Sequence, residues 1–96
     1  MACTVLLELK AKPECVDDLI AGLGGMLPET RKYEGCIDVY AHQDQDDPTT
    51  IVAIETWESR EAYEKYFAWR TETGAIGALG DWVSAPPSIR YFDKKA

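Results

Sequence analysis

Tyr63, Tyr66, Phe67 and Arg70 fall at helical spacing, so one stripe of a helix presents two phenols, a phenyl ring and a guanidinium. A phenol has a reference pKa of about 10, which makes Tyr66 a poor base at neutral pH, although its hydroxyl can donate a hydrogen bond to a developing oxyanion. Aromatic packing is the competing role for it. Arg70, on an otherwise aromatic face, must find a carboxylate, a backbone carbonyl or an anionic ligand. Glu55 is the expected partner, because its strand leads directly into this helix, and the pair would fix the sheet-helix interface. His42, the only histidine, carries the one side-chain type whose reference pKa lies near neutrality and is the default proton shuttle. Its position at a strand end beside Asp44, Asp46 and Asp47 suits a solvated surface or a dimer rim equally well. The indole of Trp57 can stack on a flat molecule and donate one hydrogen bond, or close the strand-helix junction as a core residue. Trp82, with Tyr40, Trp69 and Tyr91, adds aromatic surface suited to a ligand, a core or an interface. Cys36 would need a base beside it to act as a nucleophile, and only Asp38 stands near.

These side chains need elements to hold them. Residues 3 to 10, Cys-Thr-Val-Leu-Leu-Glu-Leu-Lys, predict a first strand that Lys12-Pro13 ends. From Glu14 the spacing changes to that of a helix, with Val16, Leu19, Ile20, Leu23 and Leu27 on one stripe. Gly24, Gly25 and Pro28 predict a kink or irregular turn within it, and Glu34-Gly35 its stop, where glycine takes the left-handed conformation. A second strand runs from Cys36 to about Gln43, with Ile37, Val39 and Ala41 on one face and Cys36, Asp38, Tyr40 and His42 on the other. The polar turn Asp44-Gln45-Asp46-Asp47-Pro48 leads into a third strand, Thr50 to Trp57, antiparallel to the second. Ser59 caps a helix over about Arg60 to Thr73. Gly74, Gly77 and Gly80 punctuate a short helical stretch ending at Trp82 and Val83. Pro86-Pro87 resets the chain for a fourth strand, Ser88 to Asp93.

The order βαββαβ is α+β and ferredoxin-like: a four-stranded antiparallel sheet with its helices on one face, in a single domain over residues 1–96. Such a layer leaves the other sheet face bare. Strands one and three carry apolar residues on both parities, Val5, Leu7 and Leu9 against Leu6, and Ile51 and Ala53 against Val52 and Ile54. A bare apolar face is sticky, so sheet-to-sheet association in a homodimer is expected.

Composition narrows the partners. With 17 acidic and 10 basic residues the net charge is −7, which repels nucleic-acid backbones and anionic membranes. Hydrophobic residues make up 46% of the chain, enough for an ordinary core without staples. Cys3, Cys15 and Cys36 form no C-x-x-C pair, which with a single histidine argues against a zinc or iron-sulfur site. Three small apolar thiols, no signal-like start in Met1 to Lys12 and no run of 18 apolar residues fit a cytoplasmic protein.

Several phrases in order carry a resemblance: Thr30-Arg31 with Glu34-Gly35-Cys36, then Asp46-Asp47-Pro48, then Glu55-Thr56-Trp57-Glu58-Ser59 leading into Ala62-Tyr63, and Pro86-Pro87-Ser88-Ile89. Together they resemble the antibiotic biosynthesis monooxygenase domain family over almost the whole chain. The resemblance implies ferredoxin-like protomers paired into a dimeric α+β barrel, and oxygenation of small planar phenolic molecules such as quinols and anthrones without metal or flavin. In that chemistry the substrate supplies the electrons, so the protein needs a dry pocket, an aromatic wall and one or two proton-transfer groups. The resemblance places Trp57 on the cavity between sheet and helices. Added to the residues read above, this gives Trp57, Tyr63, Phe67 and Trp82 as binding residues, Tyr66 beside them, and Arg70 or His42 to handle charge or protons. Many family members carry a histidine where this chain has Tyr66. The haem-degrading members rely on an asparagine, and this chain has none. Two other functions fit the same fold: a dimer that binds a small aromatic molecule or a partner without turnover, and an isomerase or lyase acting on a small oxygenated metabolite.

Overall fold

Strand β1 (Cys3–Lys10) lies at the centre of the protein because its side chains serve two surfaces in alternation. The computed structural model describes residues 2–96; Met1, at the head of the expected 1–96 domain, lies outside the described residues. The remaining elements are α1 (Val16–Lys32), β2 (Cys36–Gln43), β3 (Thr50–Trp57), α2 (Arg60–Glu72), the short α3 (Ala75–Gly80) and β4 (Ser88–Phe92). The strands form one antiparallel sheet in the order β2-β3-β1-β4, the ferredoxin-like arrangement. β1 and β3 pair without interruption from Cys3 opposite Trp57 to Lys10 opposite Thr50, so Val5, Leu9, Ile51, Ala53, Glu55 and Trp57 all turn to the helices and are buried.

Local chemistry explains where the helices begin and end. The Ser59 hydroxyl accepts the Ala62 amide at 3.1 Å and caps α2. Gly35, just past α1, takes φ +93, and a methyl group there would stand 2.7 Å from the Ala62 side chain, so conformation and close approach both call for glycine. The interruption expected at Gly24, Gly25 and Pro28 does not break α1, which runs continuously through all three. Proline removes one helical donor, and the buried Leu19, Leu23 and Thr30 hold the helix against the sheet on both sides of it.

β2 departs from simple alternation. Its register slips between Cys36 and Asp38, a bulge that sets two residues opposite one. Cys36 thereby joins the helix-side cluster around Trp57, while Ile37, expected to share a face with Val39, is 53% exposed.

The core has two halves. One is aliphatic, built on Leu9, Leu19, Leu23, Ile51 and Leu79, with Trp82 and Val83 packed against it. The other is aromatic, built on Trp57, Tyr63 and Tyr66 with Val5 and Cys3. The opposite face of the sheet has no covering layer, and it presents Tyr40, Ile54 and Phe92 to solvent. Among the described residues, no helix is long and apolar enough to cross a membrane.

Candidate functional site

Arg70 is 5% exposed and places its guanidinium between α2 and α1. Its Nε donates to the Tyr66 hydroxyl (2.9 Å), Nη1 to Glu29 Oε1 (2.8 Å), and Nη2 to the Met26 carbonyl (3.0 Å) and Thr30 Oγ1 (3.1 Å). Thr30 Oγ1 lies 2.7 Å from the Tyr66 hydroxyl and donates to the Met26 carbonyl at 3.1 Å. Thr30 has one proton to give, so the Tyr66 hydroxyl donates to Thr30 while accepting from Arg70. That hydroxyl is therefore held within the protein. Burial raises the Tyr66 pKa, against the bond and charge of Arg70 that favour the phenolate.

Glu55 is the unexpected member. It is 3% exposed, sits on the helix side of β3 between Ala53 and Trp57, and meets no cation. Its Oε1 accepts the Trp57 indole N–H at 2.9 Å. Burial pushes the carboxyl up to about 7, and the bond from Trp57 restrains the rise. Neither its second oxygen nor the Tyr63 hydroxyl bonds to a described residue, yet no sealed side-chain polar atom lacks a partner. Both groups thus keep a sliver of access to open space. Tyr63 is kept protonated by burial and by the charge of Glu55 nearby.

A chamber of about 30 Å³ lies where the two halves of the core meet. Glu55, Tyr63, Tyr66 and Thr30 line it with the aliphatic Leu23, Leu27 and Val39. Leu7, Phe67, Ile76 and Leu79 are shared with an outer cleft of about 420 Å³, whose far wall is formed by Val83, Pro86 and Pro87. A proton acceptor near neutrality and two phenols thus line a chamber that shares four wall residues with an apolar cleft, an arrangement suited to taking a proton from a weak acid and stabilising the anion left behind.

Residues 2–71 match the family model described as antibiotic biosynthesis monooxygenase. The chain belongs to that family. Among solved structures, a conserved protein from Methanosarcina mazei Go1 superposes with TM-score 0.89 at 23% identity, over 99% of this chain and 94% of that one. Rv0793 from Mycobacterium tuberculosis gives 0.87 at 19%, over 100% and 97%. A structure named an antibiotic biosynthesis monooxygenase gives 0.86 at 22%, over 98% and 99%. At these identities the superpositions establish the fold. None of the curated proteins matches the chain.

Within this family member the chamber gathers Tyr63, Tyr66 and Phe67, three of the residues expected at the site. Arg70 stands behind Tyr66, and Trp57, fully buried, stands behind Glu55 with its N–H engaged. Two expected residues lie elsewhere. His42 pairs with Val52 on the uncovered face of the sheet, and Trp82 packs over Gly22 of α1, leaving no room there for a side chain. The expected ion pair between Arg70 and Glu55 does not form. Arg70 reaches across to α1 and Glu29 instead, because Tyr66, one turn back on α2, turns the guanidinium toward Thr30 and the Met26 carbonyl. Cys36 is pushed up to about 11 by burial and the neighbouring carboxylates, which keeps its thiol protonated. Sequence reasoning missed Glu55 as a site residue and Thr30 altogether. The signal for Glu55 was its parity, a carboxylate in series with Ile51, Ala53 and Trp57 on the buried side of β3.

Proposed function

We propose that this protein is a monooxygenase for a small planar phenol, with Glu55 as the proton acceptor and Tyr63 as the donor to the developing oxyanion. The carrying observation is the buried Glu55 carboxylate, which meets no cation among the described residues, accepts the Trp57 N–H and lines the chamber. A carboxyl titrating near 7 is matched to the proton of a phenol better than an ordinary carboxylate. The phenolate so formed passes one electron to dioxygen. The resulting superoxide and phenoxyl radical combine at a ring carbon, and the peroxide loses water to leave a quinone. One oxygen atom enters the product and the other leaves as water, whose two hydrogens come from the hydroxyl, by way of Glu55, and from the ring carbon. The substrate is the sole reductant.

The uncovered sheet face supports a homodimer in which two such faces meet, since Tyr40, Ile54 and Phe92 are otherwise left in water.

The test is oxygen consumption with a panel of quinols and anthrones in metal-free buffer. The reading expects turnover that falls by about 10² or more in Glu55→Gln, the usual scale for a lost general base. Turnover unchanged under nitrogen would replace the oxygenase with an isomerase or lyase, and wild-type activity retained in Glu55→Gln would remove Glu55 from the chemistry.

A further inference from the structure

The cleft and the chamber have one charged side chain between them, Glu55. Among the described residues, no lysine or arginine lines either space. Arg70, behind Tyr66, commits its guanidinium to Glu29, Tyr66, Thr30 and the Met26 carbonyl. A carboxylate or phosphate entering the cleft would give up its hydration without meeting a cation, a loss that nothing in the lining offsets unless it were neutralised. It would also approach Glu55 within a chain of net charge −7. The chamber, at about 30 Å³, has room for a hydroxyl group or one water and not for an aromatic ring. A ligand body must therefore remain in the cleft while a polar end reaches inward.

We infer that the cleft and chamber select an uncharged, apolar molecule carrying a hydroxyl at one end and reject its carboxylated analogues. The inference rests on the reading of these spaces as the substrate site, and it concerns charge selection rather than the reaction. It also divides the site in two. Glu55, Tyr63 and Tyr66 lie inside the family-matched residues 2–71, whereas Ile76, Leu79, Val83, Pro86 and Pro87 lie beyond them. The apolar wall is thus shared between Leu7, Leu9 and Phe67 within the matched residues and the segment after α2, where Ser84 brings a polar side chain to the cleft.

The test is calorimetric titration of the full chain under nitrogen at pH 7 with two probes, 2-naphthol and 6-hydroxy-2-naphthoate. The expected result is binding of 2-naphthol and at least tenfold weaker binding of the carboxylate. Ser84, exposed and bonded to the Lys10 carbonyl at 3.3 Å, is the place to add a cation. Ser84→Lys should bring the two affinities at least fivefold closer. Equal or tighter binding of the carboxylate by the wild type, binding of neither probe, or an unchanged preference in Ser84→Lys would overturn the inference. Selective binding of 2-naphthol without oxygen consumption on the quinol panel would defeat the oxygenase reading and leave this one standing. Oxygen consumption with charged and neutral substrates alike would do the reverse.

Discussion

At the scale of single residues, the properties of Glu55 follow from being buried beside one donor. Its carboxyl titrates near 4.5 when the chain is unfolded and near 7 in the fold, raised by burial. The sign follows from linkage. Below pH 4.5 both states hold the proton and Glu55 costs nothing; as pH rises through 7 the unfolded chain releases the proton more readily, and stability is lost. The full loss is on the order of 3 kcal/mol. Glu55→Gln, which can still accept from Trp57, should match the wild type in urea unfolding at pH 4 and exceed it at pH 8. Equal stability at both pH values would show that the carboxyl is not raised. Trp57 is expected to set the position of that carboxyl. Trp57→Phe removes the bond that restrains its pKa, so the acidic limb of the kcat/KM profile should move to higher pH, alongside a destabilisation of about 2 kcal/mol from the lost indole. An unmoved limb would separate Trp57 from Glu55. Sequence reasoning treated Glu55 as the counterion of Arg70 because its strand leads into that helix, and only the folded contacts reveal that its neighbours are a tryptophan and an empty space.

At the scale of elements, the strands and long helices were legible because periodicity, Ser59 and Gly35 mark them directly. The bulge in β2 was not, since an extra residue in one strand changes no local pattern while reversing the faces of Cys36 and Ile37. The docking of α2 on α1 was legible only in part: Tyr66 and Arg70 share a predicted stripe, but their partners Thr30 and Met26 lie some 40 residues earlier, beyond any local rule. Arg70 and Glu29 should respond very differently to truncation. Glu29 is 64% exposed, so its pair with Arg70 is screened by water and Glu29→Ala should cost less than about 1 kcal/mol. Arg70→Met removes charge-assisted bonds to Tyr66, Thr30 and the Met26 carbonyl at once and should cost about 3 kcal/mol. Comparable urea midpoints for the two variants would mean that the guanidinium does not fasten the helices.

At the scale of the whole molecule, one layer of helices covers one face of the sheet, and the sequence showed this imbalance through apolar residues on both parities of β1 and β3. Ile54 is 41% exposed, Phe92 45% and Tyr40 57%, all on the uncovered face. In a two-fold dimer each such side chain is buried twice, once per copy, so any substitution acts doubly. Burying one isoleucine contributes about 1.5–3 kcal/mol. Since more than half of Ile54 is already covered, Ile54→Glu removes about half of that gain in each copy and adds a carboxylate from each to an interface between chains already at −7. A loss on the order of 3 kcal/mol is a hundredfold or greater weakening of association. Sedimentation of the wild type should give the mass of two chains, and Ile54→Glu, at micromolar concentration, should give a soluble chain of half that mass with the wild-type circular dichroism. Leu7→Glu should differ in kind, because Leu7 lines both the cleft and the chamber and its charge would enter the core. A soluble Ile54→Glu of unchanged mass would show that the uncovered face meets no second copy.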